Sequence, residues 1–245
     1  MSQDQVENIH WHQGDDAQSL AENLAGEIAL QINHAIADHG SAVIALSGGS
    51  TPKPLFQTLA QHDVDWAKVV ITLVDERWVP SSHHLSNTAF IQENLLGLLP
   101  EEVSFVSLYQ SAQTVEASCS TVLAAYCAAT GSSLESPRKF DVVVLGMGSD
   151  GHTASFFPDA KNVAELVSSD AQSPLLTCMS PSTQVERITW SLPMLLNTAF
   201  LALHFTGFKK LGVFDEAAAG GNITELPIRA VIFQKQTPLN VYYCD

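Results

Sequence analysis

The chain has 245 residues and a mass of 26.4 kDa, which fits one large domain or two small ones. Hydrophobic residues make up 46% of the sequence and charged residues 15%, so the apolar material suffices for a core and excludes a mainly disordered chain. Against 11 Lys and Arg stand 26 Asp and Glu, and the formal charge of −15 repels phosphate backbones and anionic lipids. The composition therefore predicts no nucleic acid and no membrane as partners.

The N-terminus and the cysteines predict a reduced, cytoplasmic protein. Residues 1–16 carry acids, amides and histidines where a signal peptide has a basic start and an apolar run. No later apolar run reaches the roughly 18 residues that a membrane span requires. The cysteines form no C-x-x-C pair and are predicted to be free structural thiols. They are Cys119, Cys127, Cys178 and Cys244. For assembly we expect a monomer or a small homo-oligomer.

Predicted strands and helices alternate along the chain. Apolar spacing predicts a helix over 17–37, a strand over 42–46, a glycine turn and then a helix containing Leu55 and Leu59. The later predictions are strands over 69–74, 140–145, 174–178, 199–205, 229–233 and 240–243, and helices over 86–97, 113–130 and 207–219. This order predicts an α/β fold: one Rossmann-like domain over 1–245, with a mostly parallel sheet covered by helices on both faces.

Three predicted strands end in polar or glycine-rich segments, and ligands bind beyond the carboxyl ends of parallel strands. The first segment contains Gly48, Gly49 and Ser50 directly before a helix. Free backbone N–H groups and the positive end of a helix dipole favour a phosphate at such a position. The same residues also fit an ordinary capped turn without a ligand.

The second segment groups Asp75 and Arg77 around Glu76 at the end of a buried strand. Two acids followed by a cation at a strand end fit either a ligand site or a solvated charged turn. Taken alone, the solvated turn is the more common case, and it is the coincidence of three such strand ends that favours a ligand site.

The third segment, residues 146–152, is a glycine-rich bend that follows a buried strand and presents Asp150 and His152. Of nine histidines, His152 is the one placed in a glycine loop at a strand end, where an imidazole can transfer protons near neutral pH. Asp150 is expected to orient His152 or to bind a substrate hydroxyl, although an acid beside glycine is also a common turn residue.

An anionic ligand on so acidic a chain has to rely on local cations. The candidates near predicted strand ends are Arg77, Arg187, Lys209 and Lys210.

The motifs favour hydrolysis without a metal. Adjacent His83 and His84 cannot readily ligate one metal, and the chain contains neither H-E-x-x-H nor a cysteine cluster. A serine nucleophile has little support because no G-x-S-x-G elbow is present. We expect water to attack an activated carbonyl while His152 removes its proton and cations or backbone N–H groups stabilise the oxyanion.

These segments together resemble the 6-phosphogluconolactonase family over about residues 40–215. The matching motifs are L-S-G-G-S-T-P from Leu46, V-D-E-R-W-V-P from Val74, S-N at Ser86, L-G-M-G-S-D-G-H-T-A-S-F-F-P from Leu145 and R-I-T-W-S-L-P-M-L-L-N from Arg187. The resemblance implies an α/β fold related to glucosamine-6-phosphate deaminases and ribose-5-phosphate isomerases. It also implies hydrolysis of 6-phospho-D-glucono-1,5-lactone to 6-phosphogluconate, in the oxidative pentose phosphate pathway, without metal or cofactor.

The resemblance implies roles for individual residues. His152 is implied as the base that activates water, with Asp150 beside it. Lys210, rather than Lys209, is implied at the phosphate, and Arg187 is implied as a weaker candidate for a phosphate contact. Arg77 is implied at the phosphate or at the carbonyl. The implied substrate-binding residues are Gly48, Gly49, Ser50, Asp75, Arg77, Gly148, Arg187 and Lys210.

Three alternatives accompany this interpretation. A glucosamine-6-phosphate deaminase would carry an asparagine and a glutamate where this chain has Phe156 and Phe157, and the glutamate transfers protons in amino-sugar ring opening. A non-catalytic sugar-phosphate sensor would need a DNA-binding module, for which the length and charge leave no room. A structural domain with accidental motifs does not explain three coincident strand-end segments.

Overall fold

The computed structural model of the protein describes residues 8–49 and 51–245. The strands and helices in chain order are β1 (Ile9–Gln13), α1 (Ala17–His39), β2 (Ala42–Leu46), α2 (Lys53–Leu59), β3 (Val69–Leu73), β4 (Asp75–Arg77), α3 (Asn87–Asn94), β5 (Ser104–Val106), α4 (Val115–Thr130), β6 (Phe140–Leu145), α5 (Val163–Leu166), β7 (Leu175–Met179), β8 (Glu186–Trp190), α6 (Leu192–Leu196), β9 (Thr198–Thr206), α7 (Phe208–Ala218), α8 (Arg229–Ile232) and β10 (Leu239–Cys244). Short 3₁₀ turns at Trp66–Lys68 and Leu96–Leu98 join some of them.

The main sheet is parallel throughout. Within the described residues its seven strands follow the order β1-β10-β9-β6-β2-β3-β5. Every residue of the central strands β2, β3 and β6 is buried, as expected for strands covered on both faces. The predicted α/β class, with a mostly parallel sheet flanked by helices, is confirmed.

Helix α1 shows how the sequence specifies its own boundaries. The Asp16 side chain accepts a hydrogen bond from the Ser19 backbone N–H at 2.8 Å, which caps the first turn. At the other end Gly40 adopts a left-handed φ of 80° and closes the helix. Between these caps Leu20, Leu24 and other apolar residues at helical spacing are buried in the core.

A small antiparallel sheet, β4-β8-β7, lies beside the carboxyl end of the main sheet. Residues 75–77, expected to be a polar segment after a strand, themselves form strand β4 and pair with β8. Side chains alternate along a strand, so Asp75 and Arg77 face one side and Glu76 faces the other. Because the partner strand is far away in sequence, local composition did not show this pairing.

One predicted element is wrong. Residues 229–233 were expected to form a strand, but Arg229–Ile232 is the short helix α8. A brief apolar run does not distinguish a buried strand from a buried helix. The strand predicted over 240–243 does form, as β10, and pairs with β9. Strands β1, β5 and β8 were not predicted, because they are short or carry polar residues.

Two further observations concern the described residues. None of their helices has both the length and the hydropathy for crossing a membrane. All four cysteines are free, and Cys127, Cys178 and Cys244 are buried.

Candidate active site

A cleft of about 320 Å³ opens where strands β2, β3, β6 and β9 end. Parallel strands bring their carboxyl ends to one edge, so segments distant in sequence meet there. The predicted residues that line the cleft are Gly48, Gly49, Asp75, Arg77, Gly148, His152, Arg187 and Lys210. Asp150 lies behind His152, and Ser50 lies outside the described residues.

His152 is held by its neighbour Asp150. His152 Nδ1 and Asp150 Oδ1 are 2.5 Å apart, and the same oxygen accepts from the His152 backbone N–H at 3.3 Å. The nitrogen of the ring that remains for chemistry is therefore Nε2. Burial raises the pKa of Asp150, but the hydrogen bonds and charge of His152 outweigh it and leave the pKa lowered. Asp150 is thus ionised at neutral pH.

Gly148 lets this loop close tightly. A Cβ on residue 148 would overlap both the His152 ring and the Asp150 carboxylate. The Gly148 backbone N–H donates to the His152 carbonyl at 2.9 Å, which fixes the bend. The requirement for glycine here is explained by packing against His152, before any contact with substrate is considered.

Phe157 joins the histidine to a cation. Its ring stacks on the His152 imidazole with centroids 4.3 Å apart. The Arg187 guanidinium carbon lies 4.7 Å from the centroid of the same Phe157 ring. One buried aromatic side chain therefore supports both the candidate base and a candidate anion-binding group.

Arg187 and Asp75 form a buried pair. Arg187 Nη1 lies 3.4 Å from Asp75 Oδ2, which also accepts from Ser155 Oγ at 2.6 Å. Burial lowers the pKa of Arg187, Asp75 partly restores it, and the positive charge of Arg77 lowers it further. Arginine keeps its charge under these conditions. The Arg187 Nε has no hydrogen-bond partner among the described residues.

Arg77 lies opposite Arg187 in the β4–β8 ladder. Its Nη1 donates to the Leu85 carbonyl at 2.9 Å and to Asn87 Oδ1 at 2.5 Å. Its Nε is buried without a partner in the described parts of the chain. Arg77 and Arg187 are thus neighbouring guanidinium groups, and each has a buried Nε without a partner in the described residues.

The cations of α7 differ in their access to the cleft. Lys210 lies in the first turn of α7 and lines the cleft, whereas Lys209 is exposed and does not. Burial lowers the pKa of Lys210. Beside it, buried His204 also lines the cleft, and burial followed by the charge of Lys210 lowers the pKa of His204 to about 4. His204 is therefore neutral at pH 7.

The cleft is cationic although the chain is acidic. The described lining residues include three cations, Arg77, Arg187 and Lys210, and one carboxylate, that of Asp75. The whole chain has a formal charge of −15, so the site concentrates positive charge against the general field. In the same described ranges, no cluster of three or more His, Cys, Asp or Glu side chains could hold a metal ion.

Sequence reasoning missed three residues of the site. Asn87 and Phe157 lie inside the matching motifs but were given no role in binding or catalysis, because neither is titratable. His204 was not singled out, although a histidine near the end of an otherwise apolar strand was a usable signal. Each enters the site through contacts across the fold.

Fold and cleft together define an α/β protein with a cationic cleft beside a histidine that is bonded to a carboxylate. The chain belongs to the family described as Glucosamine-6-phosphate isomerases/6-phosphogluconolactonase, whose model matches residues 15–240. The family membership predicted from the motifs is thereby confirmed.

Named relatives match over nearly their full length. The chain is 40% identical to a 6-phosphogluconolactonase of Rhizobium meliloti, with 96% of this chain and 99% of that protein covered. It is also 40% identical to a 6-phosphogluconolactonase of Mesorhizobium japonicum, with 96% and 95% covered. Its fold matches the crystal structure of a 6-phosphogluconolactonase from Shewanella baltica OS155 with a TM-score of 0.89 at 34% identity, covering 97% of this chain and 98% of the other.

Proposed function

We propose that the protein is a 6-phosphogluconolactonase, which hydrolyses 6-phospho-D-glucono-1,5-lactone to 6-phosphogluconate in the oxidative pentose phosphate pathway. The observation that carries the proposal is the cationic cleft in which the Asp150 carboxylate holds the His152 imidazole at 2.5 Å. An anionic sugar ester needs both parts: a base for water and positive charge for its phosphate. Two relatives with this name support the proposal, since the chain matches 99% and 95% of their lengths.

In the proposed reaction His152 acts as the general base. Its Nε2 takes a proton from a water molecule as that oxygen bonds to C1 of the lactone. Asp150, ionised and bonded to Nδ1, stabilises the imidazolium that results. Phe157 keeps the ring in this orientation through the stacked contact.

Arg77 is proposed to stabilise the oxyanion on the carbonyl oxygen. An oxyanion donor has to be fixed before the reaction, and both hydrogens on Nη1 of Arg77 are already used to fix its guanidinium. As the tetrahedral intermediate collapses, the bond from C1 to the ring oxygen breaks. The imidazolium then returns its proton to that oxygen, which leaves an open-chain acid and a neutral His152.

Lys210 and Arg187 are proposed to hold the phosphate. Lys210 on α7 carries its charge on a flexible stem and lines the cleft, and Arg187 also lines the cleft and has a buried Nε without a partner among the described residues. A dianion compensates two cations, which relieves the mutual repulsion between the clustered positive groups. Gly48, Gly49 and Ser50 are proposed to lie along the same sugar-phosphate cleft.

The remaining features of the proposal follow from the sequence. We propose one domain over residues 1–245, a cytoplasmic location and a reaction without metal or other cofactor. The partner is the sugar-phosphate substrate, with no nucleic acid or membrane, and the assembly is a monomer or a small homo-oligomer.

The test supplies purified protein with fresh 6-phosphogluconolactone and follows 6-phosphogluconate by phosphorus NMR. The lactone also opens spontaneously, so the rate without protein is subtracted. Glucosamine 6-phosphate is the control substrate and is expected to remain unchanged. Lactone opening at the spontaneous rate, or release of ammonia from the amino sugar, would contradict the proposal.

A further inference from the structure

Asn87 connects three segments of the cleft through one side chain. Its Oδ1 accepts from Arg77 Nη1 at 2.5 Å, and its Nδ2 donates to the Asp75 backbone carbonyl at 3.0 Å. The residue is only 3% exposed, yet it lines the cleft. Because both ends of the amide are bonded within the protein, Asn87 affects a ligand chiefly through the groups it holds.

The glycine turn closes over this amide. A Cβ on residue 48 would overlap the amide group of Asn87. Gly48 therefore permits the end of β2 to pack directly against Asn87. The turn after β2, the strand β4 and the start of α3 are fixed relative to each other at this point.

The buried carboxylate of Glu76 anchors Asn87 from the other side of β4. Glu76 is fully buried, and its oxygens accept from the backbone N–H groups of Asn87 at 2.7 Å and Thr88 at 2.6 Å. They also accept from Ser86 Oγ at 3.0 Å and from the Arg77 backbone N–H at 2.7 Å. One carboxylate thus holds the first turn of α3 and the backbone of Arg77 together.

The consequence appears at the Arg77 guanidinium. A guanidinium has five N–H donors, of which two lie on Nη1. Leu85 and Asn87 occupy both of these, so the donors that remain lie on Nε and Nη2 along one edge of the group. Nε is buried without a partner in the described residues. The contacts thereby select which edge of Arg77 is presented to a ligand.

We propose that Asn87 is a positioning residue, which orients Arg77 so that the Nε–Nη2 edge meets the developing oxyanion of the lactone. The inference rests on the proposed function, since it assigns a residue to that same reaction. An oxyanion donor that is misplaced by a fraction of an ångström loses transition-state stabilisation but little ground-state binding. Loss of Asn87 therefore lowers kcat and leaves KM nearly unchanged.

The experiment is a double-mutant cycle with Asn87→Ala, Arg77→Ala and the double variant, measured with phosphorylated and unphosphorylated gluconolactone. We expect Asn87→Ala to lower kcat about 10-fold on both lactones, with KM within about 2-fold. In the Arg77→Ala background the same substitution should have no further effect on kcat, because its action passes through Arg77. Additive losses in the double variant would overturn the inference.

Two further variants separate positioning from a purely structural role. Asn94→Ala is the matched control: Asn94 is buried in the same helix and donates to the Phe90 carbonyl, but it does not line the cleft. It should lower the melting temperature and leave kcat unchanged. Asn87→Asp keeps the size but places a carboxylate against Arg77, so it should lower kcat at least as much as alanine.

Wild-type kcat in Asn87→Asp, or equal kcat losses in Asn87→Ala and Asn94→Ala, would also overturn the positioning role. A wild-type protein that opens no lactone would refute the proposed function itself. If the wild type is active and the kcat losses in the double-mutant cycle are additive, only the positioning role of Asn87 is refuted.

Discussion

Asp150 Oδ1 lies 2.5 Å from His152 Nδ1, two residues away in a bend where a Cβ on residue 148 would overlap both side chains. The pair uses one nitrogen of the imidazole for orientation and leaves the other for proton transfer. The catalytic part of the proposal depends on this relationship, and the first two predictions test its two members.

Replacement of the base should reduce lactone hydrolysis strongly. We expect His152→Ala to lower the enzymatic rate by about 10²–10⁴-fold, the range for loss of a general base, with folding intact. The measurement is kcat after subtraction of spontaneous opening, together with a thermal melt. His39→Ala is the control, because His39 is exposed at the end of α1. Wild-type turnover in His152→Ala would refute the role of His152.

Replacement of the orienting carboxylate should have a smaller effect. We expect Asp150→Asn to lower kcat by about 10-fold, because water can partly replace a half-exposed partner of the imidazolium. Its side chain is 44% exposed, so no large loss of stability is expected. Exposed Asp170 provides the control variant Asp170→Asn. A loss as large as that of His152→Ala would instead indicate that Asp150 takes part in the chemistry directly.

A comparison of variants at Phe157 and Phe156 separates an effect on core packing from an effect on catalysis. Both side chains are buried, so each change to leucine should cost about 1–2 kcal/mol of unfolding free energy. Only Phe157 contacts His152 and Arg187. We therefore expect Phe157→Leu to lower kcat about 10-fold and Phe156→Leu to leave it nearly unchanged. Equal kinetic effects in the two variants would show that Phe157 supports the fold and not the site.

Adjacent lysines test the phosphate contact. Lys210 lines the cleft and Lys209 does not. We expect Lys210→Ala to raise KM for the phosphorylated lactone by about 10–100-fold, which corresponds to one charge-assisted hydrogen bond. KM for unphosphorylated gluconolactone should not change, and Lys209→Ala should resemble the wild type with both substrates. If the Lys210 variant keeps its preference for the phosphorylated sugar, the assignment is wrong.

His204 should make stability depend on pH. Burial, together with the charge of Lys210, lowers the pKa of His204 from 6.5 to about 4. The unfolded chain therefore binds the proton at a higher pH than the folded one. The shift contributes about 3 kcal/mol to the free energy of unfolding. This contribution is fully present above pH 6.5 and is lost as the pH falls toward 4.

Denaturant unfolding at pH 7 and pH 4.5 measures this contribution. Other groups also titrate in acid, so the quantity of interest is the difference between wild type and His204→Gln. Between pH 7 and pH 4.5 the free energy of unfolding of the wild type should fall by about 2–3 kcal/mol more than that of His204→Gln. The same substitution at exposed His34 should leave the difference constant. A pH-independent difference for His204→Gln would contradict the prediction.

Several features were predictable because they are encoded locally. The helix over 17–37 was recognised from apolar spacing and the glycine that follows, and α1 spans Ala17–His39. The glycine bend with Asp150 and His152 was recognised because a buried strand leads directly into it. Its residues are neighbours in sequence, so the geometry that joins them is short-range.

The pairing of β4 with β8 could not be predicted in this way. It places Arg77 opposite Arg187, and it brings Asp75 within 3.4 Å of an arginine 112 residues further along the chain. A three-residue strand carries too little pattern to specify a distant partner. The run at 229–233 was misassigned for a related reason, since a short apolar run does not distinguish a buried strand from a buried helix.

The sequence by itself determined the α/β class, the three strand-end segments and the histidine in its glycine bend, because strand periodicity and glycine turns act over a few residues. Only the tertiary structure decided how the cations are oriented. Asn87 fixes Arg77, Phe157 supports both His152 and Arg187, and His204 is buried beside Lys210. These relationships depend on side chains that become neighbours only when the sheet assembles and excludes water from between them.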